Sequence, residues 1–175
     1  MKTEPATLRD FAKRYTAAWC SGEAASVVAF YSPGGSLSVN GGTPATGRSA
    51  ISEVAQGFMT AFPDLKVMMD DVLVQGDNAV YHWTLAGTNT GPGGTGKRVR
   101  ISGFEIWTIG ADGLIAESRG HFDNATYQHQ LKHGVAESQN SPVYRRPDPV
   151  SRARAHRSDD KIGKRKISRR TREPQ

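Results

Sequence analysis

The stretch RVRISGFEIWTIGADGLIAESRGHFD, residues 98–123, alternates with period two on either side of Gly110-Ala111-Asp112-Gly113. Side chains along a strand point to opposite faces in turn, so this pattern predicts strands over Arg98–Ile109 and Leu114–Phe122 with a tight turn between them. Upstream, Lys66–Gln75 and Ala79–Asn89 alternate in the same way about Gly76-Asp77-Asn78, which has the composition of a hairpin turn. A glycine-rich loop, Gly91 to Gly96, joins the second of these strands to the third. Four consecutive long strands imply an antiparallel meander, and sheets of such length curl.

The segment before the strands has a different period. Leu8, Phe11, Ala12, Tyr15 and Trp19 form one face of an amphipathic helix, started near Thr3 and Pro5 and ended at Ser21-Gly22. A short helix is expected over Glu23–Phe30, closed by Ser32-Pro33-Gly34-Gly35, then a short strand over Ser36–Val39. Ile51, Val54, Ala55, Phe58 and Phe62 mark a third helix over Arg48–Phe62, stopped by Pro63. Helices segregated from an antiparallel sheet define an α+β fold. The expected architecture is a cone-shaped barrel, a curved antiparallel sheet wrapped around a long helix.

Charge divides the 175 residues unevenly. Residues 1–137 hold 11 Lys/Arg and 13 Asp/Glu, whereas 138–175 hold 12 and 4, which together give the net charge of +6. All but one of the aromatic side chains precede residue 138, the exception being Tyr144. The expectation is a near-neutral domain over 1–137 and a disordered basic tail over 138–175, which is too poor in apolar residues to build a core. Without interleaved aromatics for stacking, the tail suits at most weak, non-specific contact with nucleic acid. A lone cysteine, Cys20, rules out an intramolecular disulfide framework. No apolar run is long enough to cross a membrane, and the first residues lack the apolar core of a secretory signal, so a cytoplasmic location is expected.

Two motifs fail on context. Gly91–Lys97 fits the spacing of a phosphate-binding loop, but Arg98 stands where the metal-holding Ser or Thr belongs, and a strand follows instead of a helix. His129 and His133 have the i, i+4 spacing of a metal pair, but no third ligand accompanies them, and a solvated polar face is the simpler reading. The last strand is more informative. Ile115, Glu117, Arg119, His121 and Asp123 share one face by alternation, with Gly120 and Phe122 on the other. A carboxylate at the end of such a strand, near an Arg and a His, suits proton transfer at the mouth of a cone. A surface ion pair between Glu117 and Arg119 is the plainer alternative.

These residues carry a resemblance. Ala61-Phe62-Pro63-Asp64-Leu65, Gly76-Asp77, Trp83-Thr84, Gly87-Thr88-Asn89-Thr90-Gly91, Thr95-Gly96-Lys97-Arg98-Val99, Gly113-Leu114-Ile115, Arg119-Gly120-His121-Phe122-Asp123 and Gln130-Leu131 occur in the order and spacing of the SnoaL-like polyketide cyclases. The resemblance covers roughly Leu8 to Leu131 and implies the nuclear transport factor 2-like cone. It further implies cofactor-free acid/base catalysis of the polyketide or ester cyclase, or isomerase, kind on a small apolar carbonyl compound. Asp123 would be the base, with Arg119 and His121 beside it, and no metal would be needed. Tyr15, Trp19, His82, Asn89 and Trp107 are the candidates for contact with an apolar or aromatic ligand, and a homodimer through the open sheet face is expected. Asn89 stands where the family loop usually has His, and His121 where Tyr is common, which keeps a non-catalytic ligand-binding or assembly module as the alternative. An epoxide hydrolase ranks last, because the third strand offers only Arg98, Arg100 and Glu105 for an Asp-Arg-Asp set.

Overall fold

A computed structural model describes residues 4–136. The basic tail expected over 138–175 lies outside the described residues. The chain order is α1 (Pro5–Cys20), α2 (Ala24–Val28), β1 (Tyr31–Val39), β2 (Ala45–Thr46), α3 (Arg48–Ala61), β3 (Lys66–Gln75), β4 (Asn78–Thr88), β5 (Arg98–Ile109), β6 (Ile115–Phe122) and α4 (Asn124–His133). The six strands form one sheet in the order β2-β1-β6-β5-β4-β3. The α+β class and the curled sheet with a helix folded into it are as expected.

The meander β3–β6 is antiparallel throughout, but β1 joins it parallel to β6, so the sheet is mixed. Expecting Ser32-Pro33-Gly34-Gly35 to close the preceding helix made β1 too short. The strand runs through those residues on an irregularity, its pairing with β6 stepping from Tyr31↔Ile115 to Ser36↔Glu117. Pro33, which has no N–H to donate, falls in that unpaired gap. At Gly35 a Cβ would stand 2.8 Å from the Ile115 carbonyl oxygen, so only glycine lets the two strands close up again. The two-residue strand β2 pairs with Ser36 and Leu37 and is too short for periodicity to reveal.

Helix α1 buries the stripe Leu8, Ala12, Tyr15, Ala18 and Trp19. It packs against β3, and its aromatic side chains meet those of β4 and β5. Tyr15 sits edge-on to Tyr81 and Trp107, at centroid distances of 5.5 and 5.0 Å, while Tyr81 and Trp107 stack at 4.8 Å. Such offset and edge-on pairs add specificity to the large apolar area that the rings remove from water. Helix α3 closes the end of the cone next to β1, and α4 lies along β5. No helix among the described residues is long and apolar enough to cross a membrane.

Candidate functional site

The side chains that share a face of β5 are Val99, Ile101, Glu105 and Trp107, with Gly103 between them; all but Gly103 are buried. A carboxylate in an otherwise apolar row must find partners, because an unpaired buried charge costs many kcal/mol. Glu105 finds three, all on one oxygen. Oε2 accepts hydrogen bonds from Trp107 Nε1 at 2.7 Å, Ser118 Oγ at 2.8 Å and the Tyr15 hydroxyl at 3.1 Å. The Tyr15 hydroxyl is in turn 3.0 Å from that of Tyr31. Oε1 carries no hydrogen bond among the described residues.

Burial pushes the Glu105 carboxyl above its ordinary range, although the donors from Trp107, Ser118 and Tyr15 pull it the other way. Tyr15 and Tyr31 are raised by burial and then by the neighbouring Glu105, so both hydroxyls stay protonated. Tyr81 is raised by burial, against the hydrogen bond its hydroxyl shares with Thr16 at 2.7 Å.

Glu105 lines a cavity of about 60 Å³ walled by the sheet and by side chains of α1 and α3. Aromatic rings of Trp19, Phe58, Tyr81, Trp83 and Phe122 form much of its wall, and aliphatic side chains from β1, α3, β3, β4 and β5 supply the rest. Opposite Glu105 in the β5–β6 register stands Gly120, which has no side chain to fill the space beside the carboxylate. The indole nitrogens of Trp19 and Trp83 are buried without a hydrogen-bond partner among the described residues. The Tyr15 hydroxyl is near the first but lacks hydrogen-bond geometry.

The structure divides the residues singled out from sequence. Trp19 lines the cavity, and Tyr15 and Trp107 stand behind it as donors to Glu105. The others are elsewhere. His82 alternates with the cavity-lining Tyr81 and Trp83, so its ring turns to the outer face, 5.9 Å from Phe104, which stacks at 5.0 Å on His121. Arg119 and Glu117 form an exposed ion pair at 3.7 Å on that same face, the plainer of the two readings. The inward face of β6 is Ser118, Gly120 and Phe122. Ile115 is nonetheless buried, because the pairing slips between Thr108↔Glu117 and Ile109↔Ile115 and reverses its direction relative to Glu117. Asn89 holds its own loop, donating to the Ala61 carbonyl and accepting from the Thr95 N–H.

Asp123 lies outside this cavity, in a separate open groove that it lines with Phe104 and His121. It is the N-cap of α4, where Oδ1 accepts from the Ala125 and Thr126 N–H groups and Oδ2 from the Thr126 hydroxyl. Those bonds, the ones from Thr126 foremost, hold its carboxyl below the ordinary range. A carboxylate so exposed and so strongly bonded is a poor base. Sequence reasoning missed Glu105 as the buried carboxylate, yet a signal was present: it shares strand parity with Val99, Ile101 and Trp107, a charge on the core face.

The SnoaL-like polyketide cyclase family model matches residues 9–131, so the chain belongs to that family. Among solved structures, a candidate SnoaL-like polyketide cyclase from Jannaschia sp. CCS1 is 21% identical with a TM-score of 0.65, the match covering 77% of this chain and 99% of that one. TsrD from Streptomyces laurentii is 23% identical with a TM-score of 0.64, covering 74% and 98%. TerC, co-crystallised with polyporic acid, is 14% identical with a TM-score of 0.58, covering 71% and 97%. At these identities the likeness is one of fold. No curated protein sequence matches the chain at a significant level.

Proposed function

We propose that this protein carries out cofactor-free acid/base chemistry, of the cyclase or isomerase kind, on a small apolar carbonyl compound held in the cone, with Glu105 as the proton-transferring group. The observation that carries this reading is a buried carboxylate lining an apolar cavity, with one oxygen that has no hydrogen-bond partner among the described residues. Desolvation brings such a group toward the working pH, where it can both take and return a proton. Removal of a proton α to a carbonyl would leave an enolate, and hydrogen-bond donors in the wall would stabilise its oxygen. Family membership supports this class of reaction, and TerC, co-crystallised with polyporic acid, supports a small-molecule ligand. The role first assigned to Asp123 passes in this reading to Glu105.

Glu105→Gln tests it. With a panel of aromatic polyketide β-keto esters, the variant should fold and bind but turn over at least about a hundredfold more slowly, while Asp123→Asn keeps its rate. Equal rates for wild type and Glu105→Gln would refute the assignment. One observation favours a non-catalytic binding module instead: among the described residues the cavity wall holds no second free acid or base, since the Tyr81 hydroxyl is tied to Thr16. Bound ligand with no product at any pH would decide for that module. Pairing of two copies is part of the proposal, through the outer sheet face where His82, Phe104 and His121 form a row. Light scattering on the purified chain tests it, and a monomeric mass would refute it.

A further inference from the structure

Helix α4 carries a pair of histidines that the cavity does not use. His129 and His133 are four residues apart, both are exposed, and neither lines the cavity. An α-helix places such residues one above the other on a single face. The two rings stand 4.7 Å apart between centroids with their planes inclined at 42°, adjacent but not stacked flat.

That spacing suits a shared metal ion. An imidazole nitrogen binds Zn²⁺ at about 2.0–2.1 Å, which puts the ring centroid about 3.2 Å from the ion. Two such rings at an angle of about 90–110° then have centroids about 4.5–5.2 Å apart, and the observed 4.7 Å falls inside that range. The terminal torsion of histidine is broad, so turning one nitrogen of each ring to the ion costs little.

The helix keeps the pair in register. Asp123 caps its first turn, and the Gly134 N–H donates to the Gln130 carbonyl at 2.7 Å to close its last. Between the two histidines Gln130 is buried, its Oε1 accepting from the Arg100 N–H of β5 at 2.7 Å, while Tyr127 and Leu131 pack against the core. With that face anchored, the exposed pair is in place before any ion arrives. His133 lies in the last turn, where the helix dipole amounts to about half a negative charge and favours a cation. The charged side chains nearest the pair on α4 and at the start of β5 are Lys132, Arg98 and Arg100, which oppose one. No third His, Cys, Asp or Glu joins the pair among the described residues, so water fills the other positions and the ion exchanges readily.

We propose that His129 and His133 form a two-histidine site for a divalent transition metal that prefers imidazole, such as Zn²⁺ or Ni²⁺, and that the bound ion clamps the last turn of α4. Mg²⁺ and Ca²⁺ are rejected because they require oxygen ligands. The site is independent of the acid/base reading of the cavity.

The experiment is a calorimetric titration of the full chain with ZnCl₂ and NiCl₂ in a non-coordinating buffer, repeated on His129→Ala and His133→Ala. Both side chains are exposed, and circular dichroism verifies the fold. Each substitution should weaken binding at least about tenfold, because it leaves a single imidazole. His82→Ala and Cys20→Ser, which alter donors elsewhere, should leave binding unchanged. The melting temperature of wild type should rise with Zn²⁺ and not with Mg²⁺, and the rise should be lost in either alanine variant.

Equal affinity in wild type and either alanine variant would overturn the proposal. So would loss of binding in His82→Ala or Cys20→Ser, or no saturation at millimolar metal. A heat of binding with inorganic phosphate and none with Zn²⁺ would make this end of α4 an anion site instead. Metal binding without a rise in melting temperature would refute the clamp.

Discussion

Ser118→Ala removes one of the three donors that hold Glu105 and changes little else. Ser118 is fully buried, and its Oγ lies 2.8 Å from Oε2. The substitution leaves no polar atom of its own behind and opens a void smaller than a methyl group. Its cost is therefore that of an acceptor losing one of three donors inside the protein. When Glu105 is neutral this is an ordinary hydrogen bond, worth about 1 kcal/mol; when Glu105 is ionised, the bond is charge-assisted and worth about 2–3 kcal/mol. The sign of the pH dependence follows. The folded-state pKa of Glu105 is raised, so its favourable contribution is complete below the ordinary Glu value and is lost as pH rises through the folded value. Loss of a donor to the carboxylate raises that folded value further. The destabilisation should thus grow from about 1 kcal/mol on the acid side to about 2–3 kcal/mol on the alkaline side. Urea unfolding at several pH values measures this directly, with the m-value unchanged if the variant alters stability alone. By melting temperature, each kcal/mol corresponds to roughly 3–5 °C for a domain of this size. A loss that is constant with pH, or greatest in acid, would mean that Ser118 does not stabilise the carboxylate, and the account of Glu105 would fall with it.

Substitutions at two further positions separate the cavity from its surroundings. Asp123→Ala should lower the melting temperature by a few degrees through loss of the α4 N-cap and leave ligand binding unchanged; a loss of binding without loss of stability would return Asp123 to the site. Because its folded pKa is depressed, the cap's contribution is present above the ordinary Asp value and is lost as pH falls through the folded one, so wild type and variant should converge in strong acid. At Gly120 a Cβ would stand 3.4 Å from the Ser38 carbonyl oxygen and 3.8 Å from Glu105 Cγ, ordinary contact distances, so alanine should be accommodated. Gly120→Leu should instead fill the space beside Glu105 and weaken ligand binding by more than about tenfold, at a cost of about 1–3 kcal/mol in stability from overpacking. Equal affinity in Gly120→Leu and wild type would show that ligands bind elsewhere.

The long elements were legible because their periods are long. The five-residue stripe of α1 and the ten or more alternating positions in each of β3, β4 and β5 leave little freedom, and the structure bounds two of those strands, Lys66–Gln75 and Arg98–Ile109, as the sequence reading did. The start of β1 was not legible, because Pro33-Gly34-Gly35 has turn composition and becomes strand only where β6 offers a parallel partner and a gap in the ladder. The site divided in the same way. Trp19 and the donors Tyr15 and Trp107 could be found from their apolar stripes, but the inward direction of β6 could not. Counting by twos from Ile115 carries Glu117, Arg119 and His121 to the cavity face, and one slip in pairing at the start of the strand carries them all to the outside.

The sequence by itself thus determined the α+β class, the order of the long helices and strands and the aromatic character of the core, which depend on local period and composition, while its short motifs in their order carried the resemblance to the family. Only the tertiary structure decided which carboxylate is buried. Asp123 follows the alternation of β6, whereas Glu105 lies within that of β5, where parity with Val99, Ile101 and Trp107 marks it as a charge on an apolar face; neither pattern gives the residue its partners. What distinguishes them is the partners that other elements bring. The first turn of α4 supplies Asp123 with N–H groups in contact with water, whereas α1, β5 and β6 surround Glu105 with one hydroxyl each from Tyr15 and Ser118 and the indole of Trp107. Desolvation is a property of that assembled surrounding, and so is the chemistry that depends on it.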